Sequence, residues 1–372
     1  MARLSALAPT LLLALAVGGC QKPVQPAPAQ AAVAPAVSAP APAAAGTQAF
    51  AASLPGKSDP ECVGPLDFAP PETIAAGGHS WKLNGYRLTL DAPSGAPVTL
   101  GVLANLNEPS TENSKAIEAY LSFFKEKGAQ AIVVDGDSGE NAETIEGTLT
   151  PLAKSGLPLL VVIGNRESKG GFLDAIAALQ KQFPNVFNLS KAREIDVGDV
   201  KLLSLPGYHD PRYLLAGTDG CLYHSDDLKA LKAVAASLKG PIVLVSHGPP
   251  HGEGPHALDR VQSPPGNVGD PNLTTFIAEA RIPFGIFANI IEAGGTATSL
   301  HGDRTIAPGT WSDELYLNPG AADTVPWSMN DGTQARGIAA VLSFKDGKAA
   351  YQLFRAGEKQ GEAAPSQPSA KR

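Results

Sequence analysis

Short apolar runs recur along the chain, and each is followed by a cluster of polar residues. The runs span residues 98–104, 131–134, 159–163, 242–245 and 284–287. They are rich in aliphatic residues, which is typical of strands that are buried in a parallel sheet. Because ligands of open α/β sheets bind beyond the carboxyl ends of the strands, the polar clusters together form the candidate site.

Amphipathic segments separate several of these runs. Apolar residues recur at helical spacing in the segments 114–127, 142–155, 171–183 and 226–238. The turn pair Asn84-Gly85 predicts a hairpin over 81–91 that adds an edge to the sheet or packs on it. Asp346-Gly347 predicts a second hairpin. Strands and helices that alternate before a series of hairpins indicate an α/β sheet whose far edge is antiparallel.

The polar clusters follow one another in an informative order. They read Asn105-Leu106-Asn107, Gly136-Asp137-Ser138-Gly139-Glu140, Gly164-Asn165-Arg166-Glu167, Ser246-His247-Gly248 and Ala288-Asn289-Ile290-Ile291. The series resembles the calcineurin-like metallophosphoesterases, whose motifs are Asp-x-His, Gly-Asp-x-x-Asp, Gly-Asn-His-Glu, a His after a strand, and Gly-His-x-His. The resemblance covers roughly residues 99–354.

This resemblance implies both a fold and a chemistry. The implied fold is an α/β, four-layer αββα sandwich of two mixed sheets, which we expect over residues 97–355. In that family, two metal ions share a bridging carboxylate and lower the pKa of a bound water, which attacks phosphorus. The His of the third motif assists the reaction.

Three positions of the family's metal site keep their residue type in this sequence. They are Asp137, Asn165 and His247. If a divalent metal such as Mn, Fe or Zn binds, these side chains are the expected ligands. Each residue alone also has a simpler reading, since Asp137 could cap a helix, Asn165 could serve a turn and His247 could be a hydrogen-bonded histidine of the rim without any role as a ligand. Their occurrence together, in family order, favours descent from such a site.

The remaining ligand positions have changed. Asn105 and Asn107 stand in place of the Asp and His of the first motif, and Asn289 and Ile291 replace the two His of the last. Neutral amides are weak ligands and Ile cannot bind a metal, while even changes behind the ligands cost about 10–100-fold in affinity. We therefore predict that the metal site is largely lost and that the protein carries no metal cofactor.

Arg166 stands where the family has its catalytic His. A buried carboxylate without metal needs a partner, and a guanidinium can pair with it through two hydrogen bonds. We predict that Arg166 pairs with Asp137 and replaces the metals electrostatically. The remnant pocket is then lined by Asn105, Asn107, Asp137, Asn165, Arg166, His247 and Asn289.

Two long loops are expected to overhang the same rim. The first contains His209 and Asp210, and the second contains His251 and His256. We expect these histidines to be solvated. The alternative is a metal site relocated to the loops, for which His301 and Asp303 are outside candidates.

The N-terminus carries an export signal. Arg3 precedes the apolar run 11–17, which is too short to span a bilayer. The segment Val17-Gly18-Gly19-Cys20 resembles the lipobox of bacterial lipoproteins, which implies a signal peptide over 1–19 and a lipid on Cys20. An ordinary signal peptide is the alternative. We expect the protein in the cell envelope, anchored in the outer membrane and facing the periplasm.

Further segments flank the predicted domain. A Pro- and Ala-rich tether spans 20–56, an extension with the hairpin spans 57–96, and a polar tail spans 356–372. In an oxidising compartment, Cys62 and Cys221 either form a disulfide or are two unrelated thiols.

These observations leave two main function classes. The first is a membrane-tethered, non-catalytic binding or scaffold protein whose partner is an unknown envelope protein or ligand. The second is an active phosphoesterase, a hydrolase, with an altered or single-metal site. Binding of an envelope partner through residues 81–91 is a third possibility. The net charge of −7 without any basic cluster argues against nucleic acid as a partner.

Overall fold

The computed structural model describes residues 52–91 and 97–356. The predicted signal peptide, Cys20, most of the tether and nearly all of the predicted tail lie outside the described residues. None of the helices within the described ranges combines the length and the apolar character that a bilayer crossing requires.

Twenty strands and five α-helices make up the described part of the chain. The strands are β1 (Glu72–Ala76), β2 (His79–Asn84), β3 (Arg87–Asp91), β4 (Val98–Leu103), β5 (Ala131–Asp135), β6 (Leu159–Val162), β7 (Val186–Asn188), β8 (Glu194–Val197), β9 (Val200–Ser204), β10 (Ile242–Ser246), β11 (Arg260–Gln262), β12 (Pro265–Asn267), β13 (Phe284–Phe287), β14 (Thr296–Thr298), β15 (Thr305–Ile306), β16 (Leu315–Asn318), β17 (Trp327–Ser328), β18 (Gln334–Ala335), β19 (Ile338–Lys345) and β20 (Lys348–Arg355). The helices are α1 (Thr111–Glu126), α2 (Ala142–Ala153), α3 (Lys169–Gln182), α4 (Ser225–Ala235) and α5 (Pro271–Ala280).

Two large mixed sheets organise these strands. The first has the order β20-β19-β4-β5-β6-β7 and is parallel from β4 to β7. The second has the order β1-β2-β3-β8-β9-β10-β13-β16-β14-β15 and is parallel from β9 through β16. The pairs β11–β12 and β17–β18 form two small ribbons.

The two faces of each sheet bury different apolar clusters, because successive side chains of a strand point to opposite faces. Val133 of β5 and Val243 of β10 belong to a cluster shared by the two sheets, which fills the space between them. Their neighbours Val134 and Leu244 belong to the cluster that includes helix residues such as Phe124 of α1. The predicted αββα sandwich of two mixed sheets is confirmed.

Helix boundaries follow local capping signals. Ser110 and Ser168 cap α1 and α3 through their side chains, so both helices begin two or three residues earlier than predicted. Asn141 caps α2, so Asp137 does not serve as its cap. Apolar periodicity did not indicate α5, although Asp270 at its N-cap and Pro271 at its first position are ordinary start signals.

The predicted N-terminal hairpin is present and extends the larger sheet. Asn84 pairs with Arg87, so the turn consists of Gly85 and Tyr86 and lies one residue later than the predicted Asn84-Gly85. Gly85, the first residue of the turn, adopts the left-handed conformation. β3 then pairs with β8 in parallel, with Leu88 beside Ile195. The hairpin therefore adds an edge to the sheet.

Residues 52–64 form a strap that is bound to the body of the domain along its length. The backbone N–H of Ser53 donates to Asp270, and the Ser58 hydroxyl donates to Asp227 at 2.5 Å. Farther along, the buried Arg193 donates to the carbonyl of Gly64 at 3.0 Å. A disulfide joins Cys62 of the strap to Cys221, across 159 residues of chain.

Because the disulfide closes such a long loop, its loss should lower the stability of the domain. We expect the Cys62→Ala/Cys221→Ala variant to lose about 2–5 kcal/mol of unfolding free energy. Urea denaturation of the variant, of the oxidised protein and of the protein in reducing agent measures the loss. A variant that unfolds at the same urea concentration as the oxidised protein would contradict the expectation.

Candidate functional site

The five predicted strands β4, β5, β6, β10 and β13 deliver polar residues to the candidate site. Four of these residues adopt the left-handed backbone conformation immediately beyond a strand, namely Asn105, Asn107, Asp137 and Asn289. Among residues with a side chain, Asn and Asp tolerate this conformation best. The backbone therefore supplies its own reason for Asn or Asp at each of these positions, independent of metal binding.

His247 lies at the centre of the site and is fully buried. Its Nδ1 is 2.6 Å from the carbonyl oxygen of Asp135, and its Nε2 is 2.9 Å from Oδ1 of Asn165 and 3.2 Å from Oδ1 of Asp137. The Asn165 amide is oriented by its own donation to the carbonyl of Tyr213 at 2.7 Å, so its oxygen faces the imidazole. Every atom around the two ring nitrogens is therefore an acceptor.

This arrangement favours the protonated form of His247. Burial alone would lower the pKa of His247, but the Asp137 carboxylate and the Asp135 carbonyl raise it to about 9. Burial alone would raise the pKa of Asp137, yet its bond to His247 holds that pKa below the ordinary value. A protonated imidazole donates through both nitrogens and has no lone pair for a metal.

Two further buried carboxyls surround this pair. Burial, and then the charge of Asp137, raise the pKa of Glu167 to about 7. Glu167 accepts from the backbone N–H groups of Ser138 and Gly164, at 2.6 and 2.9 Å, and so joins the ends of β5 and β6. Burial also raises the pKa of Asp135 to about 7, and within the described residues its carboxyl oxygens have no hydrogen-bond partner.

The predicted hydrogen-bonded pairing of the Arg166 guanidinium with Asp137 is wrong, although the positive charge of Arg166 is one of the influences that lower the pKa of Asp137. The Arg166 guanidinium instead contacts Glu140 at 2.6 Å, at the half-exposed mouth of the site. Only the backbone N–H of Arg166 reaches Asp137, at 3.1 Å. Glu140, at the last position of the second motif, binds the guanidinium at the surface in place of Asp137. The buried positive charge beside Asp137 comes from His247.

The other asparagines of the remnant pocket have separate partners. Asn107 donates to the carboxylate of Asp323, and Asn289 donates to the hydroxyl of Tyr208 at 2.7 Å. The side-chain amide of Asn105 is buried and has no partner among the described residues. Sequence analysis did not identify Asp323 or Tyr208. The only signal for Tyr208 was its place in the long loop after β9.

Two of the three loop histidines are not in the expected solvated state. His209 is 1% exposed, packs against Tyr208 and has no partner for its ring nitrogens among the described residues. His251 is mostly buried and lies 3.1 Å from the Asp259 carboxylate. His256, like His301 and Asp303, is exposed.

The donor set does not fit a two-metal centre. Asp137 and His247 form an ion pair with each other. The positions of the first and last motifs hold amides and Ile291. Of these amides, Asn107 and Asn289 already donate hydrogen bonds to other side chains. Nowhere in residues 52–91 or 97–356 do three or more His, Cys, Asp or Glu side chains come together as a potential metal site.

Comparisons with known proteins bear on the fold. No protein-family model matches this sequence, and no curated protein matches it significantly. One solved crystal structure has 17% identity and a TM-score of 0.51 and covers 70% of this chain and 99% of its own. The protein TT1561 of Thermus thermophilus has 14% identity, a TM-score of 0.46 and coverages of 70% and 99%.

A dimetal phosphatase from Danio rerio is also similar, with 10% identity, a TM-score of 0.45 and coverages of 69% and 98%. At these identities the likeness concerns the fold alone. The first of these structures shares the fold of this domain over 70% of the chain.

The charge pair at the centre of the site generates a pH dependence. The pKa of His247 is about 9 in the folded protein and about 6.5 in an unfolded chain. Its contribution to stability is therefore fully present below pH 6.5 and is lost as the pH rises through 9. We expect this to lower the unfolding free energy on the order of 3 kcal/mol between these limits.

Replacing His247 by Gln should remove that dependence. Urea denaturation of the His247→Gln variant from pH 6 to pH 10 should give a flatter profile than the wild type. His79→Gln, which changes an exposed histidine of β2, should retain the wild-type slope. Parallel profiles for the wild type and His247→Gln would contradict the charged state of His247.

Proposed function

We propose that this protein is a lipid-anchored, non-catalytic binding or scaffold protein of the bacterial cell envelope, built on a phosphoesterase fold. The observation that carries the proposal is the hydrogen bonding of His247, whose two ring nitrogens face only acceptors. A side chain that donates from both nitrogens holds the site together without presenting a metal ligand.

The neighbouring amides support the same conclusion. Asn107 bonds to Asp323 and Asn289 bonds to Tyr208, so these former ligand positions contribute to packing rather than to an open coordination sphere. Asn105 adds no negative charge to a site that already holds Asp137 and two acids of raised pKa. Without a carboxylate at the first motif, the site offers a divalent metal one anionic ligand fewer.

Metal content and turnover test the non-catalytic assignment. The purified protein is loaded with Mn²⁺ or Zn²⁺, dialysed, and examined by elemental analysis. We expect well below one metal ion per chain, because the amides are weak ligands and His247 must first lose a proton. We also expect no hydrolysis of p-nitrophenyl phosphate or bis-p-nitrophenyl phosphate above the buffer rate, in either the wild type or Asp137→Ala.

The alternative is a phosphoesterase with an altered or single-metal site, using Asp137, Asn165 and His247. Oδ1 of Asn165 and Oδ1 of Asp137 both lie within 3.2 Å of Nε2 of His247, and this convergence favours the alternative. Near-stoichiometric metal together with turnover that is lost in Asp137→Ala would establish this alternative and overturn the non-catalytic proposal. A matched Asp174→Ala variant, which changes an exposed carboxylate of α3, should leave any such turnover unchanged.

The anchoring part of the proposal rests on the N-terminal sequence. The apolar run 11–17, the small residues before Cys20 and the long tether together support a lipoprotein. The disulfide between Cys62 and Cys221 is consistent with an oxidising compartment such as the periplasm.

Membrane fractionation tests the anchor. We expect the wild type to sediment with outer-membrane vesicles and to incorporate labelled palmitate, because acyl chains partition into the bilayer. Cys20→Ala should take up no label and remain in the soluble periplasmic fraction. Soluble wild-type protein without label would indicate an ordinary signal peptide instead.

A further inference from the structure

A groove of about 670 Å³ lies between edge strands of the two sheets. β1 ends one sheet and β7 ends the other, and α3 forms a further wall. We call it the edge groove and define it by Glu72, Ile74, Leu83, Leu173, Asp174 and Phe187. It is separate from the strand ends that carry His247.

The two edges of this groove differ in their capacity for hydrogen bonding. At β7, the carbonyl of Val186 accepts from the side chain of Gln180 at 3.0 Å, so this edge is partly covered. β1 pairs with β2 on one side and has no strand on its other side within residues 52–91 and 97–356. It contains no Lys or Pro, the residues that often protect a free edge.

The side chains along the groove combine apolar and acidic character. Ile74, Leu83 and Leu173 are half-buried and form its apolar surface. Glu72 lies directly opposite Leu83 on the same face of the hairpin, and Asp174 faces the groove from α3. Both carboxylates are exposed.

Two other charges border this surface. Glu61 is partly neutralised by Lys169 at 3.4 Å, and Lys191 contributes one positive charge. The groove as a whole therefore carries an excess of negative charge.

We propose that the edge groove binds an extended segment of a partner protein, which adds as a further strand to β1. Backbone pairing provides affinity in such complexes, and alternate side chains provide specificity. The segment presents an apolar side chain toward Ile74, and two residues away along its length a Lys or Arg toward Glu72 and Asp174. This surface gives the proposed binding protein a recognition site that is separate from the strand ends that carry His247.

The tether of this chain does not have the chemistry of that occupant. Residues 21–51 contain one basic residue, Lys22, and six prolines, which lack the N–H that strand pairing requires. The apolar residues of this segment are mostly Ala, too small to fill a groove beside Ile74 and Leu83. The chemistry therefore favours a separate protein.

A synthetic probe tests this proposal on the full chain. The probe is acetyl-Lys-Thr-Val-Thr-Lys-Thr-Val-amide with a fluorescent label, and its anisotropy is measured against protein concentration. We expect saturable binding, and none for the version in which Glu replaces Lys. N-methylation of one alternating set of peptide nitrogens should abolish binding, while methylation of the other set should leave it, because only one set faces β1.

Charge reversal in the groove provides the variant test. Glu72→Lys/Asp174→Lys should weaken probe binding at least about tenfold, because like charges then face each other. The matched control Glu112→Lys/Glu118→Lys changes two exposed carboxylates of α1 and should bind as the wild type does. Thermal unfolding of both variants establishes that they are folded.

Three outcomes would overturn the proposal. One is the absence of saturable binding up to millimolar protein, and another is binding that is insensitive to N-methylation in both sets. The third is a dimer of this chain, detected by light scattering, that dissociates in Glu72→Lys/Asp174→Lys. That result would assign the free edge of β1 to a second copy of the protein.

Discussion

The ionic hydrogen bonding of His247 joins the two sheets at the candidate site. The imidazole comes from β10 of one sheet, and its acceptors follow β5 and β6 of the other. Here a buried charge pair with a complete set of acceptors can hold the same strand ends together, since a buried charge is tolerated when it is paired and hydrogen-bonded.

The backbone at the site limits which residues can follow these strands. Asn105, Asn107 and Asn289 all follow strands in a left-handed conformation, which Asn adopts with little strain. Close packing adds a second limit, because a Cβ at Gly136 would lie 2.3 Å from Nδ1 of His247. Turn geometry and packing therefore maintain the arrangement of the strand ends, and this arrangement does not require a bound metal ion.

The sequence contained most of the fold but only part of the site. Strands that are buried on both faces consist of uninterrupted apolar residues. Such runs identified the strands that precede Asn105, Asp137, Asn165, His247 and Asn289. Partners of individual side chains were not predictable. Asp323 is 216 residues from Asn107, and the choice of Arg166 between Asp137 and Glu140 depends on burial, which one-dimensional spacing does not reveal.

The strap and its disulfide also have a mechanical consequence. A force applied to the chain before residue 52 is transmitted along the strap. It reaches the disulfide between Cys62 and Cys221 before it reaches β1. Part of the load therefore passes into the loop before α4, so the edge strand is protected from being peeled off its sheet. The domain can bear force at its N-terminus while the open edge beside β1 keeps its shape.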